Sequence, residues 1–182
     1  MGKLTLIFGG SNSGKSKFAE SLAKKHKDVL YLATAEAFDD EMKLKLKKHR
    51  KSRPPEWKTI EEPVHIDKVI EKESDKFSGV LVECILLYIN NMFLQSNSIK
   101  NSPLQDDELE KMVLNKMVKM VDIIKNSTAE FYVVSGEVGL GFIGDNRSVR
   151  LYGRVLGEVN QLLAENATEV FFVVAGIPMK IK

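Results

Sequence analysis

The octapeptide Gly9-Gly10-Ser11-Asn12-Ser13-Gly14-Lys15-Ser16 follows the apolar run Leu4-Thr5-Leu6-Ile7-Phe8 directly and opens onto Lys17-Phe18-Ala19-Glu20-Ser21-Leu22-Ala23, a good helix former. A strand, a turn of the form G-x-x-x-x-G-K-[ST] and a helix, in that order, make a phosphate-binding P-loop. Gly9 and Gly14 let the backbone approach and turn where a Cβ would obstruct, so that successive N–H groups point into one concavity. The helix N-terminus that begins there favours the same anion. Lys15 is predicted to reach the β- and γ-phosphates as a flexible point charge, and the Ser16 hydroxyl to ligate Mg²⁺.

That loop commits the rest of the chain to an α/β arrangement, and the order of elements agrees. Val29-Leu30-Tyr31-Leu32-Ala33 reads as a strand covered on both faces, with Thr34, Ala35 and Glu36 at its carboxyl end, the ligand edge of an open sheet. Asp39-Asp40-Glu41 begins a helix with an acidic first turn and basic later turns, stopped by Arg53-Pro54-Pro55. Met42, Leu46 and His49 fall at i, i+4 and i+7 of it, which puts one histidine on the apolar face of an otherwise solvated helix. Trp57 to Glu62 reads as a short strand or extended segment, Ile66 to Lys72 as a helix. Val80-Leu81-Val82-Glu83-Cys84 is an apolar strand ending in a carboxylate, the form of a Walker B strand, whose acid holds the Mg²⁺ shell.

Leu86 to Phe93 is predicted helical, Gln95 to Pro103 a loop. Asp106 to Lys125 is predicted to form a long amphipathic helix whose Met112, Met117 and Met120 are read as core filling, a subunit interface being the other use of the same face. Phe131 to Val134 is a strand followed by the glycine-rich 135–141, Val149 to Ala164 a helix, and Glu169 to Val174 a final strand. The fold expected is a single α/β domain over residues 1–182: a P-loop NTPase-like, RecA-like, mostly parallel sheet flanked by helices.

A net charge of +2 over 182 residues gives no polyanionic partner, so no nucleic acid is expected. Cys84 is the one cysteine, which excludes an internal disulfide and suits a reducing compartment. No run approaches transmembrane length and no secretory leader precedes the first strand, so the expected location is cytoplasmic.

Taken together, Gly9-Gly10-x-x-Ser13-Gly14-Lys15-Ser16, Tyr31-Leu32-Ala33-Thr34-Ala35, Asp39-Asp40-Glu41-Met42, His49-x-x-x-Arg53-Pro54-x-x-Trp57, Leu81-Val82-Glu83-Cys84, Glu137-Val138-Gly139-x-Gly141, Asn160-Gln161-x-Leu163-Ala164 and Gly176-Ile177-x-x-Lys180 resemble the bifunctional adenosylcobinamide kinase/adenosylcobinamide-phosphate guanylyltransferase family of cobalamin biosynthesis. The match runs collinearly from Leu4 to Lys182. It implies phosphorylation of adenosylcobinamide by a nucleoside triphosphate, then transfer of GMP from GTP through a histidine to adenosylcobinamide phosphate, giving adenosylcobinamide-GDP. His49 occupies the place of the guanylylated histidine, before Arg53-Pro54 and Trp57. The resemblance carries over nucleotide contacts to Gly9, Gly10, Ser11, Asn12, Ser13, Gly14, Lys15 and Ser16, to Ala33, Thr34 and Ala35, to Arg50, Lys51, Ser52 and Arg53, and to Glu61 and Glu83. Mg²⁺ would sit on Ser16 and Glu83. It also implies GTP as substrate, with ATP as the other candidate kinase donor, and a homo-oligomer, a trimer.

The local chemistry suits the transfer. A neutral imidazole, with its ordinary pKa of about 6.5, is an available nucleophile near pH 7. Lys48, Arg50, Lys51 and Arg53 disfavour imidazolium and would hold a triphosphate. One departure stands out: Gly136 takes the place where an asparagine is expected. His26, His65 and Cys84 are read as structural. Two other readings remain open, a P-loop small-molecule kinase with a structural His49 and a nucleotide-dependent regulatory module.

Overall fold

The computed structural model describes residues 2–36, 40, 44, 50, 53–99, 105–141 and 146–182. The elements are β1 (Lys3–Phe8), α1 (Lys15–Ala23), β2 (Val29–Ala33), β3 (Lys58–Glu61), α2 (Ile66–Glu73), a 3₁₀ turn (Ser74–Lys76), β4 (Gly79–Glu83), α3 (Ile85–Ile99), α4 (Asp106–Asn126), β5 (Glu130–Val134), α5 (Arg147–Asn166), β6 (Glu169–Val174) and β7 (Ile177–Lys180). They form one seven-stranded sheet in the order β3-β2-β4-β5-β1-β6-β7. All neighbours are parallel except β6 and β7, which run antiparallel. The P-loop strand β1 is therefore interior, and β5 separates it from β4, the strand that ends in Glu83.

The two-residue period of a strand sorts the core. Val29, Tyr31 and Ala33 turn to one face with Ile7, Leu81, Tyr132 and Val134, where α1 packs through Ala19 and Ala23. Leu30 and Leu32 turn to the other with Leu4, Leu6, Val80, Val82, Phe131 and Val133, beneath apolar side chains of α2, α3, α4 and α5. Parallel strands buried on both faces need unbroken apolar runs, and β2 is buried at all five positions. Met117 and Met120 of α4 are fully buried in this second cluster, as core filling. The helix begins on three acidic residues, Asp106, Asp107 and Glu108, and the Gln105 N–H donates to the Glu108 carboxylate at 3.2 Å.

Two segments differ from the sequence-based expectation. Residues 95–99, read as loop, continue α3. Five residues of this sequence make no helix by themselves, but the helix is already held by buried Ile85, Tyr88, Ile89 and Met92, and Ser96 returns its hydroxyl to the Phe93 carbonyl at 2.9 Å. The remainder of that predicted loop, 100–103, lies outside the described residues. The strand Glu169–Val174 is not the last: a two-residue connection, Ala175-Gly176, reverses the chain into β7. Both connecting residues have positive φ, 49° and 82°, the geometry of a primed hairpin turn. Of the helix predicted after Asp39, the described residues Asp40, Leu44 and Arg50 are helical, while Met42, Leu46 and His49 lie outside the described residues.

Candidate functional site

Every parallel strand delivers its carboxyl end to one edge of the sheet, and the P-loop, Ala33, Glu61, Glu83 and Val134 meet there. The loop leaves β1 through Gly9 (φ 153°), where a Cβ would lie 2.4 Å from the Val173 carbonyl oxygen. It passes Asn12 in the left-handed region (φ 54°) and enters α1 through Gly14 (φ 98°). The hairpin supports it from behind: the Gly176 N–H donates to the Ser13 carbonyl at 2.8 Å, and a Cβ on Gly14 would stand 3.1 Å from Gly176 Cα. Lys15 Nζ donates to the Gly10 carbonyl at 2.6 Å, which folds the amine over its own loop. Ser13 Oγ is buried with no partner among the described residues.

Across the cleft, one oxygen of Glu83 accepts a hydrogen bond from the Ser16 hydroxyl and the other accepts one from Tyr31. The peptide that follows Glu83 is cis. Burial, with the Glu83 charge beside it, pushes the Tyr31 phenol well above its ordinary pKa and keeps it a donor. The Arg53 guanidinium lies 3.9 Å from the centre of the Tyr31 ring, and its Nε and Nη1 are buried without a partner among the described residues. Loop, Ser16, Tyr31, Arg53 and Glu83 line a cleft of about 1020 Å³. A smaller hollow of about 400 Å³, between Gly10–Ser13, Glu137, Leu140 and Val174, lies on the loop's other flank.

The remaining sequence-predicted residues are placed unevenly. Ala33 and Ala35 line the main cleft. Thr34 does not bring its side chain there: it is fully buried, its hydroxyl donates to the Cys84 carbonyl at 2.8 Å and accepts from the Cys84 N–H at 2.8 Å, and so ties β2 to β4. Glu61 receives both Nε and Nη2 of Arg50, at 2.7 and 2.5 Å, in an exposed pair. His49, Lys51 and Ser52 lie outside the described residues. Burial pushes the Cys84 thiol up to about 11, so it is protonated at neutral pH although it borders the cleft. His26 donates or accepts at 2.9 Å from the Tyr132 hydroxyl at the opposite end of the sheet, and burial lowers its pKa. Among the described residues no group of three or more His, Cys, Asp or Glu could hold a metal, so a bound cation would rely on the oxygens of Ser16 and Glu83 together with phosphate oxygens and water.

Two features were not legible in the sequence, and a third, Gly136, stood out there only as a departure. Tyr31 holds Glu83 and Arg53 at once, a partnership between strands and turns that no local pattern announces. Asn160 of α5 accepts the Ser135 hydroxyl at 2.6 Å and donates to the Gly136 carbonyl at 2.9 Å; Glu137 N–H then reaches the Gly9 carbonyl at 2.9 Å. At Gly136 a Cβ would fall 2.2 Å from Leu86 Cδ1, so the Leu86 methyl occupies the space a side chain at 136 would use.

A sheet of this order, with a P-loop closing an interior strand and an acid at the end of the strand two places away, defines a P-loop NTPase fold. The RadB recombinase, a solved structure, superposes with a TM-score of 0.51 at 15% identity, covering 93% of this chain and 73% of its own; that likeness concerns the fold. The family model described as cobinamide kinase / cobinamide phosphate guanyltransferase matches residues 5–181, and the chain belongs to this enzyme family. The bifunctional adenosylcobalamin biosynthesis protein CobU of Escherichia coli (strain K12) is 34% identical over 180 residues, covering 98% of this chain and 99% of its own. The protein of the same name from Salmonella typhimurium (strain LT2) is 35% identical over 181 residues, with 98% and 99% covered. The corresponding CobP of Pseudomonas aeruginosa is 34% identical over 178 residues, with 97% and 96% covered. Among the described residues no helix is long and apolar enough to cross a membrane.

Proposed function

We propose that the chain, as one domain, performs two successive transfers at the P-loop edge: phosphorylation of the aminopropanol hydroxyl of adenosylcobinamide, then guanylylation of the phosphate so formed. The observation that carries the proposal is the convergence of Lys15, Ser16, Glu83 and Arg53 on one cleft in a member of this family. In the first step the hydroxyl oxygen attacks the γ-phosphorus, the bond to the β–γ bridging oxygen breaks, the nucleoside diphosphate leaves, and the hydroxyl proton passes to solvent. Loop N–H groups and the α1 N-terminus hold the phosphates, and Lys15 exchanges the Gly10 carbonyl for β- and γ-oxygens. Ser16 and Glu83 face each other at the foot of the loop and fit an octahedral, oxygen-seeking cation. Ser16 and Glu83 would hold Mg²⁺ there, and the ion would supply charge neutralisation for the transferring phosphate. GTP is taken as the guanylyl donor and either GTP or ATP as the phosphoryl donor.

In the second step a ring nitrogen of His49 attacks the α-phosphorus of GTP and pyrophosphate leaves. A phosphate oxygen of adenosylcobinamide phosphate then attacks the same phosphorus and frees the histidine. Arg50, bonded in the chain to His49, pairs with Glu61 at the sheet edge, and Arg53 brings to the cleft two donors without a partner among the described residues; both support a role for this segment beside the nucleotide. Ala33 and Ala35 at the end of β2 give the nucleotide a wall of small side chains. The protein is further taken to work in the cytoplasm as a homotrimer, for which exposed Ile177 and Met179 of β7 supply apolar surface.

GTP labelled at the α- or the γ-phosphate tests the chemistry. After denaturation, α-label should remain on the protein as an acid-labile, alkali-stable phosphoramidate, and γ-label should not. A nucleotide-binding preparation that retains no α-label excludes the guanylyl transfer, and phosphorylation of adenosylcobinamide without it would leave a simple kinase.

A further inference from the structure

Two parts of the cleft that are far apart in sequence, the turn carrying Arg53 and the strand end carrying Glu83, meet on the side chain of Tyr31. That residue is 1% exposed. Its hydroxyl donates to Glu83 Oε2, while Glu83 Oε1 accepts from Ser16. Its ring carries the Arg53 guanidinium 3.9 Å from the centroid, and the Trp57 ring lies 6.4 Å away at 33°.

The geometry points to Tyr31 as a positioning residue that couples the metal side of the site to the arginine side: its hydroxyl sets the Glu83 carboxylate toward Ser16, and its ring sets the Arg53 fork. This coupling rests on the assignment of Ser16 and Glu83 as the cation pair. The terminal torsion of a glutamate is broad, so a carboxylate tethered through one oxygen swings; tethered through both it presents one face. An arginine side chain carries several rotatable bonds, and stacking on a ring fixes the plane of its donors before any ligand arrives. Arg53 Nε and Nη1 are the donors that this stack leaves buried and without a partner among the described residues. The two duties belong to different atoms of Tyr31. Replacing the hydroxyl should disturb the first and spare the second.

A core tyrosine that merely finds the nearest acceptor makes a different forecast, and Mn²⁺, read by electron paramagnetic resonance in the presence of GTP, separates the two. Tyr31→Phe should weaken Mn²⁺ binding about tenfold. In a Glu83→Gln background the same change should alter Mn²⁺ affinity less than about twofold, because the hydroxyl acts through the carboxylate. Trp57 is the one tryptophan and sits beside Tyr31, so its emission reads GTP binding in EDTA. There Tyr31→Phe should move GTP affinity less than about twofold, whereas Arg53→Met should weaken it about tenfold. Wild-type Mn²⁺ affinity in Tyr31→Phe, or an equal loss with and without Glu83, overturns the positioning role. Wild-type protein that binds GTP in EDTA but takes up no Mn²⁺ with it overturns instead the cation pair itself.

Discussion

Ser16 and Glu83 are separated by 67 positions and hydrogen-bond directly, linking the loop to the opposite wall. If that pair holds the cation during phosphoryl transfer, Ser16→Ala should lower kcat/KM for the kinase step about 100-fold and raise the Mg²⁺ concentration for half-maximal rate. A change of only a few-fold with an unaltered Mg²⁺ requirement would remove Ser16 from the metal site. Cys84, next in the chain, should resist alkylation at pH 7.5 and become reactive only as pH approaches 11, since burial keeps it a thiol. Rapid labelling at neutral pH, followed by mass spectrometry, would contradict this. Residues whose chemistry is local were legible in the sequence. Lys15 and Ser16 announce themselves through the glycines and helix around them. The role of Thr34 was not legible, because its hydroxyl is spent on the backbone of Cys84, fifty positions away, and only the assembled sheet brings the two together.

At the scale of elements, the hairpin of β6 and β7 shows why one strand was missed. Ile177-Pro178-Met179-Lys180 is exposed throughout and contains a proline, so neither an apolar run nor alternation marks it; an edge strand tolerates both. Its turn is Ala175-Gly176 rather than Asn-Gly, and Ala175 adopts a left-handed φ of 49° that strains an alanine. Ala175→Gly should therefore stabilise the protein by about 0.5–1 kcal/mol in urea unfolding, the relief of strain being partly offset by the entropy of the unfolded chain. Equal or lower stability would mean that the turn is not a strained one. By contrast β1, β2, β4 and β5 were readable because strands covered on both faces are written as apolar runs, and β6, though only half-buried, carries the apolar run Val170 to Val174. The end of α3 was not, since residues 95–99 are carried by the buried turns before them rather than by their own propensity.

For the molecule as a whole, the end of the sheet remote from the P-loop carries its own electrostatic lock. Glu130 lies 2.9 Å from Lys25 and 3.4 Å from Lys3, and hydrogen bonding to Lys25 brings its carboxyl down to about 2. Its folded pKa lies below the ordinary 4.5, so its contribution is present above about pH 4.5 and fades as the pH falls toward 2. Glu130→Gln should cost about 1 kcal/mol at pH 7, the pair being partly solvated, and the difference from wild type should close on acidification. A cost independent of pH would assign the loss to packing instead. Assembly is tested by sedimentation: trimers for the wild type and smaller species for Ile177→Asp/Met179→Asp, with a monomeric wild type excluding the trimer.

If one P-loop cleft serves both transfers, covalent retention of α-labelled GTP in Lys15→Met, His49→Ala and wild-type protein reveals it most directly, with adenosylcobinamide phosphorylation measured on the same samples. The expected result is that Lys15→Met loses both activities by about 100-fold or more, while His49→Ala retains phosphorylation and no label. Wild-type labelling in Lys15→Met would show that the guanylyl donor binds elsewhere and would contradict a shared cleft.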